Sequence, residues 1–159
     1  HKGLQGMGWL GTEPGATVIT PEEQYEVEIG KANIVRVGND VTIVGLAMGV
    51  HNALKAADEL AKSGISAEVL DLRSLVPLDR DTLIDSVKKT GRLIVVDEDY
   101  QSFGVSGEII ASVVEEDYGI LKAAPKRVAY PDVPIPFARP MEQFCLPNPK
   151  KIVAAFESM

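Results

Sequence analysis

Two clusters of polar residues have types and spacing that could support chemistry. The first lies in the segment GLAMGVHNAL, which holds Gly45, Gly49, His51 and Asn52. In a strand-to-helix turn of an open α/β sheet, these residues would lie at the edge where ligands bind, beside a helix N-terminus that attracts anions. The glycine spacing does not match a dinucleotide-binding fingerprint. Turn geometry and packing are therefore the favoured interpretation, and proton transfer by His51 is the alternative.

The second cluster is acidic and comprises residues 97–99 (Asp-Glu-Asp), followed by Gln101. Three carboxylates could bind a divalent cation through hard oxygen ligands. Successive residues of a strand point to opposite faces, however, so these side chains would not converge without a turn. A solvated strand end, or pairing with Lys88 and Lys89, is therefore favoured over a metal site.

The serines and the single cysteine show no nucleophile pattern. Residues 104–107 (GVSG) lack the spacing of a nucleophile elbow. Cys145 lies in a proline-rich segment with no histidine nearby in sequence, and one cysteine excludes a disulfide framework or a cysteine-based zinc site. The residues therefore indicate no catalytic, cofactor-binding or metal-binding position.

The composition is that of a soluble globular domain. The chain has 159 residues, 45% hydrophobic and 25% charged, with a formal net charge of −7. The acidic balance argues against nucleic acid as a partner and allows a basic protein partner. No apolar run approaches the length of a membrane span. Because the chain begins at His1 rather than Met, we interpret it as a fragment, a processed product or part of a longer chain.

Hydrophobic periodicity predicts strands that alternate with helices, as in an α/β sandwich with a largely parallel sheet. The turn signal Gly38-Asn39-Asp40 predicts that the first strand pairs antiparallel with the second. Asp79 is expected to cap a helix that Gly91 ends. Residues 131–149 contain six prolines and are expected to run as an extended arm without regular structure. The predicted strands are residues 32–37, 41–47, 66–72, 93–96 and 126–130, and the predicted helices are residues 50–63, 79–91, 103–116 and 150–159.

Six ordered segments carry a resemblance to a known family: GKANIVRVGNDVTIV, ALKAADELAKSGISAEVLDLRSLVPLD, SVKKTGRLIVVDE, FGVSGEIIASV, VAYPDVPIPFA and LPNPKKI. With them, the chain resembles the C-terminal domain of the beta subunit of thiamine-dependent 2-oxo acid dehydrogenases. These enzymes are the decarboxylating first components of the pyruvate, branched-chain 2-oxo acid and acetoin dehydrogenase complexes. Transketolase and deoxyxylulose-phosphate synthase relatives are the alternative within the same superfamily, and a partner- or ligand-binding module without catalysis is the alternative outside it.

The resemblance implies a fold and a set of partners. The expected fold is a three-layer α/β/α sandwich whose five-stranded mixed sheet has its first strand antiparallel. Residues 1–28 would be an arm from a preceding pyrimidine-binding domain, and residues 29–159 the transketolase C-terminal-like domain. Thiamine diphosphate and magnesium would be held by the parent enzyme outside this chain. The expected partners are an alpha subunit and a second beta subunit in a heterotetramer, and the binding domain of the acyltransferase, in the cytoplasm or the mitochondrial matrix.

In this context the polar residues are better candidates for interface contacts than for catalysis. Those at the strand ends and at the C-terminal helix are expected to contact other subunits or the acyltransferase. The predicted interface residues are His51, Asp71, Arg73, Asp97, Glu98, Glu157 and Met159. The glycine-rich segment 8–20 is longer than the usual linker of the family, and its length does not identify the substrate.

Overall fold

The computed structural model describes residues 22–159. Of the N-terminal segment 1–28 that was predicted to come from a preceding domain, it therefore describes only residues 22–28. The strands are β1 (Asn33–Arg36), β2 (Val41–Gly45), β3 (Ala67–Asp71), β4 (Leu93–Tyr100) and β5 (Lys126–Tyr130). The helices are α1 (Met48–Lys62), α2 (Arg80–Thr90), α3 (Val105–Asp117), α4 (Arg139–Cys145) and α5 (Pro149–Glu157), with a short 3₁₀ turn at Tyr118–Ile120. No helix in this part of the chain has the length and apolar character needed to cross a bilayer.

The strands form one mixed sheet with the order β1-β3-β2-β4-β5. Strands β2 to β5 are parallel to one another, and β1 is antiparallel to its neighbour. Helices α1 and α5 pack on one face of the sheet, and α2 and α3 pack on the other. The expected three-layer α/β/α sandwich with an antiparallel first strand is therefore confirmed.

The predicted pairing of the first two strands is wrong, because β1 pairs with β3 and not with β2. The segment after β1 does not close a hairpin but crosses the beginning of β3. The amides of Asn39 and Asp40 both donate to the carbonyl of Ser66, at 2.9 and 2.8 Å. Gly38 lies so close to β3 that a Cβ there would overlap the backbone of Ala67 and Glu68. A turn signal in the sequence does not distinguish these two paths.

Two apolar clusters, one on each side of the sheet, form the core. The cluster beneath α1 and α5 includes Ile43, Val69 and Ile152, and the cluster beneath α2 and α3 includes Leu70 and Leu83. The inner strands are buried on both faces, and for this reason β2 reads as an unbroken apolar run. Burial of each such side chain contributes about 1.5–3 kcal/mol.

Helix α2 begins and ends as the sequence predicts. The Asp79 carboxylate accepts from the amide of Thr82 at 3.2 Å and from its hydroxyl at 2.8 Å. It also accepts from the amide of Ala32 at 2.9 Å, which attaches the segment before β1 to the helix. At the other end, Gly91 has a φ of 74° and closes the helix in the left-handed conformation.

Replacement of Asp79 by alanine is expected to lower the free energy of unfolding by about 2 kcal/mol. Burial acts to raise the pKa of Asp79, but the hydrogen bonds from Ala32 and Thr82 and the charge of Lys31 outweigh it and hold the pKa below its ordinary value. A carboxyl with a lowered pKa stabilises the fold above its unfolded pKa, and this stabilisation is lost as pH falls through the folded pKa. The difference between Asp79→Ala and the wild type should therefore shrink in acid. Urea unfolding at neutral and acidic pH measures it, with exposed Asp81→Ala as the control.

The proline-rich segment contains a helix that the sequence analysis did not predict. Residues 131–149, which we call the arm, run along the surface as expected but include α4. Pro140 lies in the first turn of α4, where its missing N–H leaves no hydrogen bond unmade. The ammonium group of Lys151 then donates to the carbonyls of Phe144, Cys145 and Leu146 at 2.6–2.9 Å. Lys151 thereby attaches the end of α4 to α5.

Candidate functional site: the carboxyl edge and the arm

The four parallel strands end at one edge of the sheet, which we call the carboxyl edge. Three non-glycine residues just after strand ends have positive φ there: Ala47 at 47°, Arg73 at 56° and Phe103 at 60°. Non-glycine residues in this region of φ cost on the order of 1–3 kcal/mol and are concentrated at functional sites. The backbone therefore indicates the carboxyl edge as the candidate functional region.

The glycine-containing turn between β2 and α1 lies at this edge and is closely packed. A Cβ on Gly49 would lie 2.9 Å from the carbonyl oxygen of Val96 in β4. Glycine is needed at this position because α1 approaches the sheet so closely. His51 lies in the first turn of α1 and is half-buried. The geometry at Gly49 favours the packing interpretation of this turn over a ligand site.

The three acidic residues of β4 do not form a metal site. Asp97 is buried, and its carboxylate accepts from the amide of Asp99 at 3.1 Å and from the amide of Ser106 at 3.3 Å. It thus holds the beginning of α3 against the end of β4, whereas Glu98 is exposed. Within residues 22–159, no group of three histidine, cysteine or acidic residues is placed to hold a metal ion.

Lys89 of α2 was expected to pair with the acidic residues 97–99. It instead forms an ion pair with Glu68. The reason is the direction of the helix. Because α2 runs antiparallel to β4, its last turn lies near the amino ends of the strands, opposite the carboxyl edge. Lys89 therefore joins a buried polar group around Glu68, which the sequence analysis did not identify.

Hydrogen bonds attach the loop after β4 to the beginning of the arm. The amide and hydroxyl of Ser102 donate to the Asp132 carboxylate at 3.0 and 2.6 Å. These two bonds, with a smaller contribution from Arg127, hold the pKa of Asp132 below its ordinary value. The next residue, Phe103, projects its ring fully into solvent.

The arm continues this exposed apolar surface. Its outward residues alternate with prolines in the sequence VPIPF and then recur in α4. The side chain of Phe137 is fully exposed to solvent. The exposed apolar residues of the arm, which we call the arm surface, are Val133, Ile135, Phe137, Met141 and Phe144. Contiguous apolar surface of this kind is typical of an interface with another protein.

A cavity of about 130 Å³ lies between the arm and the carboxyl edge. The rings of Tyr100 and Tyr130 meet edge to face, with centroids 5.6 Å apart. The Tyr130 hydroxyl is buried beside the Cys145 side chain. Burial and the adjacent Cys145 side chain raise the pKa of Tyr130 to about 12. The lining residues of this tyrosine–carboxylate cavity are Glu98, Asp99, Tyr100, Tyr130, Ile135, Glu142 and Leu146.

The remaining predicted interface residues occupy two separate places. Asp71 ends β3 and accepts from the amide of Arg73 at 3.1 Å, and the side chain of Arg73 is exposed. Glu157 is exposed at the end of α5, whereas Met159 is half-buried against the core beneath α1 and α5. None of these four residues lines the tyrosine–carboxylate cavity. Their interface roles stay predictions.

The sequence analysis missed the exposed apolar surface of the arm, although a signal for it was present. Large apolar residues that alternate with prolines, as in VPIPF, have no place in a regular core strand and indicate an ordered surface for contact. No sequence signal indicated that Tyr130 lines the tyrosine–carboxylate cavity, because the other lining residues Glu98 and Glu142 lie far from it in sequence.

The order of the strands, the antiparallel edge strand and the helices on both faces define a class of α/β domain. A solved structure described as "Split gene transketolase, inactive beta4 tetramer" has this fold: its TM-score is 0.72 at 31% identity, over 89% of this chain and 44% of that chain. The sequence model of the family "Transketolase, C-terminal domain" matches residues 30–152. The chain belongs to this family, as the resemblance indicated.

Curated relatives are more similar in sequence than the solved structure. The chain is 47% identical over 135 residues to the acetoin:2,6-dichlorophenolindophenol oxidoreductase subunit beta of Cupriavidus necator. It is 50% identical over 134 residues to the pyruvate dehydrogenase E1 component subunit beta-1, mitochondrial, of Arabidopsis thaliana. These matches cover 85% and 84% of this chain but only 40% and 37% of the relatives. The chain thus spans about two fifths of the length of these relatives.

Proposed function

We propose that this chain is the C-terminal domain of the beta subunit of a 2-oxo acid dehydrogenase complex of the pyruvate type. The parent enzyme would decarboxylate a 2-oxo acid on thiamine diphosphate and transfer the acyl group to a lipoyl arm. The likeness at 47–50% identity to pyruvate and acetoin enzymes supports this class over transketolase, and acetoin or a branched-chain 2-oxo acid remains the alternative substrate.

The role proposed for this domain is subunit assembly. The observation that carries it is the arm surface, whose large apolar side chains extend into solvent beside the carboxyl edge. Such a surface is costly in a free monomer, and burial against a partner subunit would remove that cost. The arm is attached to the domain at both ends, through Ser102–Asp132 and through Lys151, so it would meet a partner as a fixed surface.

The cofactors and other partners follow from the same proposal. Thiamine diphosphate and magnesium would be bound by the alpha subunit and by the preceding domain of the beta subunit. An alpha subunit and a second beta subunit would complete a heterotetramer, in the cytoplasm or in the mitochondrial matrix. The acidic net charge, with Glu157 exposed at the end of α5, would suit docking of a basic binding domain of the acyltransferase.

The arm surface gives a direct test of assembly. In the complete beta subunit co-expressed with its alpha partner, Phe137→Asp is expected to weaken assembly at least about tenfold, because a large apolar anchor is replaced by a charge that would be buried. Val37→Asp is the matched control: Val37 is also exposed, but it lies at the β1 end of the sheet, opposite the arm. Sedimentation velocity and turnover of pyruvate, acetoin and branched-chain 2-oxo acids measure assembly and substrate class.

Loss of tetramer and of turnover in Phe137→Asp, with both retained in Val37→Asp, would support the assembly role. Full assembly of Phe137→Asp would contradict it. The separated chain, incubated with 2-oxo acid, thiamine diphosphate and magnesium, is expected to show no decarboxylation, and turnover by the chain alone would also contradict the proposal.

A further inference from the structure

The last strand of the sheet, β5, has a free edge. It ends the strand order and pairs with β4 alone among residues 22–159. The carbonyl of Tyr130 accepts from the amide of Gln101 on the β4 side at 2.8 Å. Because successive residues of a strand direct their N–H and C=O groups to alternate sides, Arg127 and Ala129 direct theirs away from β4. This edge can therefore pair with one further strand.

A groove, which we call the β5 groove, runs along this free edge. It has a volume of about 490 Å³ and lies between β5, the arm and α5. Three consecutive residues of β5, 127–129, line it, whereas only alternate residues would line a groove on one face of the sheet. Phe144 of the arm and Ala154 of α5 supply apolar walls. An apolar groove beside an unpaired edge is the arrangement in which proteins bind an extended segment by strand addition.

Residues 22–29 (EEQYEVEI), which we call the acidic segment, have the pattern of a strand. Tyr25, Val27 and Ile29 alternate with polar residues, and a period of two is typical of a strand with one apolar face. All residues of the segment are exposed, and none of them lies in a helix or a strand. Within residues 22–159, the fold therefore leaves this strand-forming segment outside the sheet.

The charges of the acidic segment and of the β5 groove are opposite. The segment contains four glutamates and no basic residue. The charged residues that line the groove are Arg127 and Lys151, and Lys126 precedes them in β5. Because the whole chain has a net charge of −7, a groove with basic lining differs from the rest of the molecule. Opposite charges of this kind steer two surfaces together and orient them.

The acidic segment cannot reach the β5 groove of its own chain. The amide of Ala32 donates to the Asp79 carboxylate at 2.9 Å and so attaches the chain just before β1. Ile29 is three residues earlier and therefore lies within about 10 Å of Ala32. Strands β1 and β5 are at opposite ends of the sheet, about 19 Å apart, and an added strand would lie beyond β5. An acidic segment in the groove must come from another copy of the chain.

The two features lie at opposite ends of the carboxyl edge. Because β1 is antiparallel, the acidic segment enters the sheet at this edge, where Asn33 faces Asp71 at the end of β3. The β5 groove extends to Pro131, just after the end of β5. A two-fold axis across the middle of the carboxyl edge would therefore exchange the two features. Each copy would then give one segment and receive one, which closes the assembly as a dimer.

We propose that the acidic segment of one copy of this chain adds to β5 of a second copy as a sixth strand. The inference rests on the proposed pairing of two beta subunits, and Phe144 provides continuity, since it belongs both to the arm surface and to the β5 groove. Backbone hydrogen bonds to Arg127 and Ala129 would hold the added strand, and the apolar side chains of the segment would enter the groove. The glutamates would lie near Arg127 and Lys151.

The first test uses the complete beta subunit co-expressed with its alpha partner. Val27→Lys is expected to weaken the association of the two beta copies about tenfold, because an apolar contact is replaced by a charge that the basic groove repels. Val37→Lys is the matched control, since Val37 is also exposed but lies outside the acidic segment and the β5 groove. Sedimentation velocity measures the dissociation constant, which should rise with sodium chloride. Equal dissociation constants for Val27→Lys and the wild type would overturn the proposal.

An exchange of charge shows whether the two surfaces face each other. Glu26→Lys with Glu28→Lys, and Arg127→Glu by itself, are each expected to weaken the association about tenfold. The variant that combines all three exchanges the charges in both copies and should regain most of the lost affinity. Arg127 also donates to the carbonyl of Gln101 at 2.6 Å, so if the Tm of Arg127→Glu falls, Lys126→Glu takes its place in the exchange. A combined variant that associates no better than its parents would overturn the proposal.

The outcomes also distinguish this inference from the assembly role of the arm surface. If Phe137→Asp disrupts assembly while the variants of the acidic segment do not, the arm is an interface but β5 receives no strand. If Val27→Lys weakens binding of the alpha subunit and leaves the two beta copies paired, the segment binds the alpha subunit and the proposal is wrong. If neither set of variants affects assembly, both proposals fail.

Discussion

Gly38→Ala is expected to destabilise the chain by about 3 kcal/mol. Gly38 lies in the segment that crosses the beginning of β3, and a Cβ there would overlap the carbonyl carbon of Ala67 and the amide nitrogen of Glu68. These are backbone atoms of a central strand, so a rotamer change cannot relieve the overlap. Either the crossing segment or β3 must move, and both hold β1 in the sheet.

Gly107→Ala is the matched control for this prediction. Gly107 lies within α3, and a Cβ there would meet only a guanidinium nitrogen of Arg127 at 3.9 Å, an ordinary contact. Since alanine favours helix over glycine by about 1 kcal/mol, Gly107→Ala should stabilise the chain. Urea unfolding of the two variants should therefore shift in opposite directions. Equal stability of Gly38→Ala and the wild type would show that β1 does not depend on the close crossing at β3.

Glu68→Leu is expected to cost about 3 kcal/mol. Glu68 is 1% exposed in β3, and its carboxylate accepts from the hydroxyl of Ser86 at 2.5 Å, from the amide of Gly38 at 3.3 Å and from Lys89. Leucine fills a similar volume but accepts nothing, so these donors lose their partner. The Ser86 hydroxyl also lies 2.7 Å from that of Thr42, and the loss would therefore extend into β2.

Two further variants show whether the buried acceptor or the charge matters. Glu68→Gln keeps an oxygen acceptor and is expected to retain part of the stability that Glu68→Leu loses. Glu59→Leu removes the carboxylate of an exposed pair with Lys62, and such pairs contribute about 0.5 kcal/mol or less. If Glu68→Leu and Glu59→Leu unfold at the same urea concentration, the polar group around Glu68 does not stabilise the fold.

The layers of the fold could be predicted because each element carries its own periodicity. Two of these signals are local: the unbroken apolar run of β2, and the Asp79 and Gly91 caps of α2. The structure confirms both. The partner of β1 could not be predicted in this way, since it depends on contacts of Gly38 with a strand about thirty residues away. Helix α4 was not predicted because the six prolines of the arm argue against regular structure. Pro140, however, lies in the first turn of α4, where a helix tolerates proline.

The candidate site could be predicted only in part, for a similar physical reason. The sequence located polar residues at the carboxyl edge, because strand ends are readable from the apolar runs before them. Which of them face one another depends on chain segments that meet only in the folded state. Ser102 meets Asp132 across 30 positions, and Tyr130 lines one cavity with carboxylate residues of β4 and α4.

The six prolines of the arm have a consequence for the entropy of association. Each proline fixes its φ near −65° before any partner arrives, and the residue before it is confined to extended conformations. Flexible segments lose conformational freedom when they bind, and this loss weakens their affinity. An arm in which residues 131–149 are already restricted by six pyrrolidine rings has little such freedom left to lose. Its contact area should therefore be converted into affinity more efficiently than that of a glycine-rich loop of equal length.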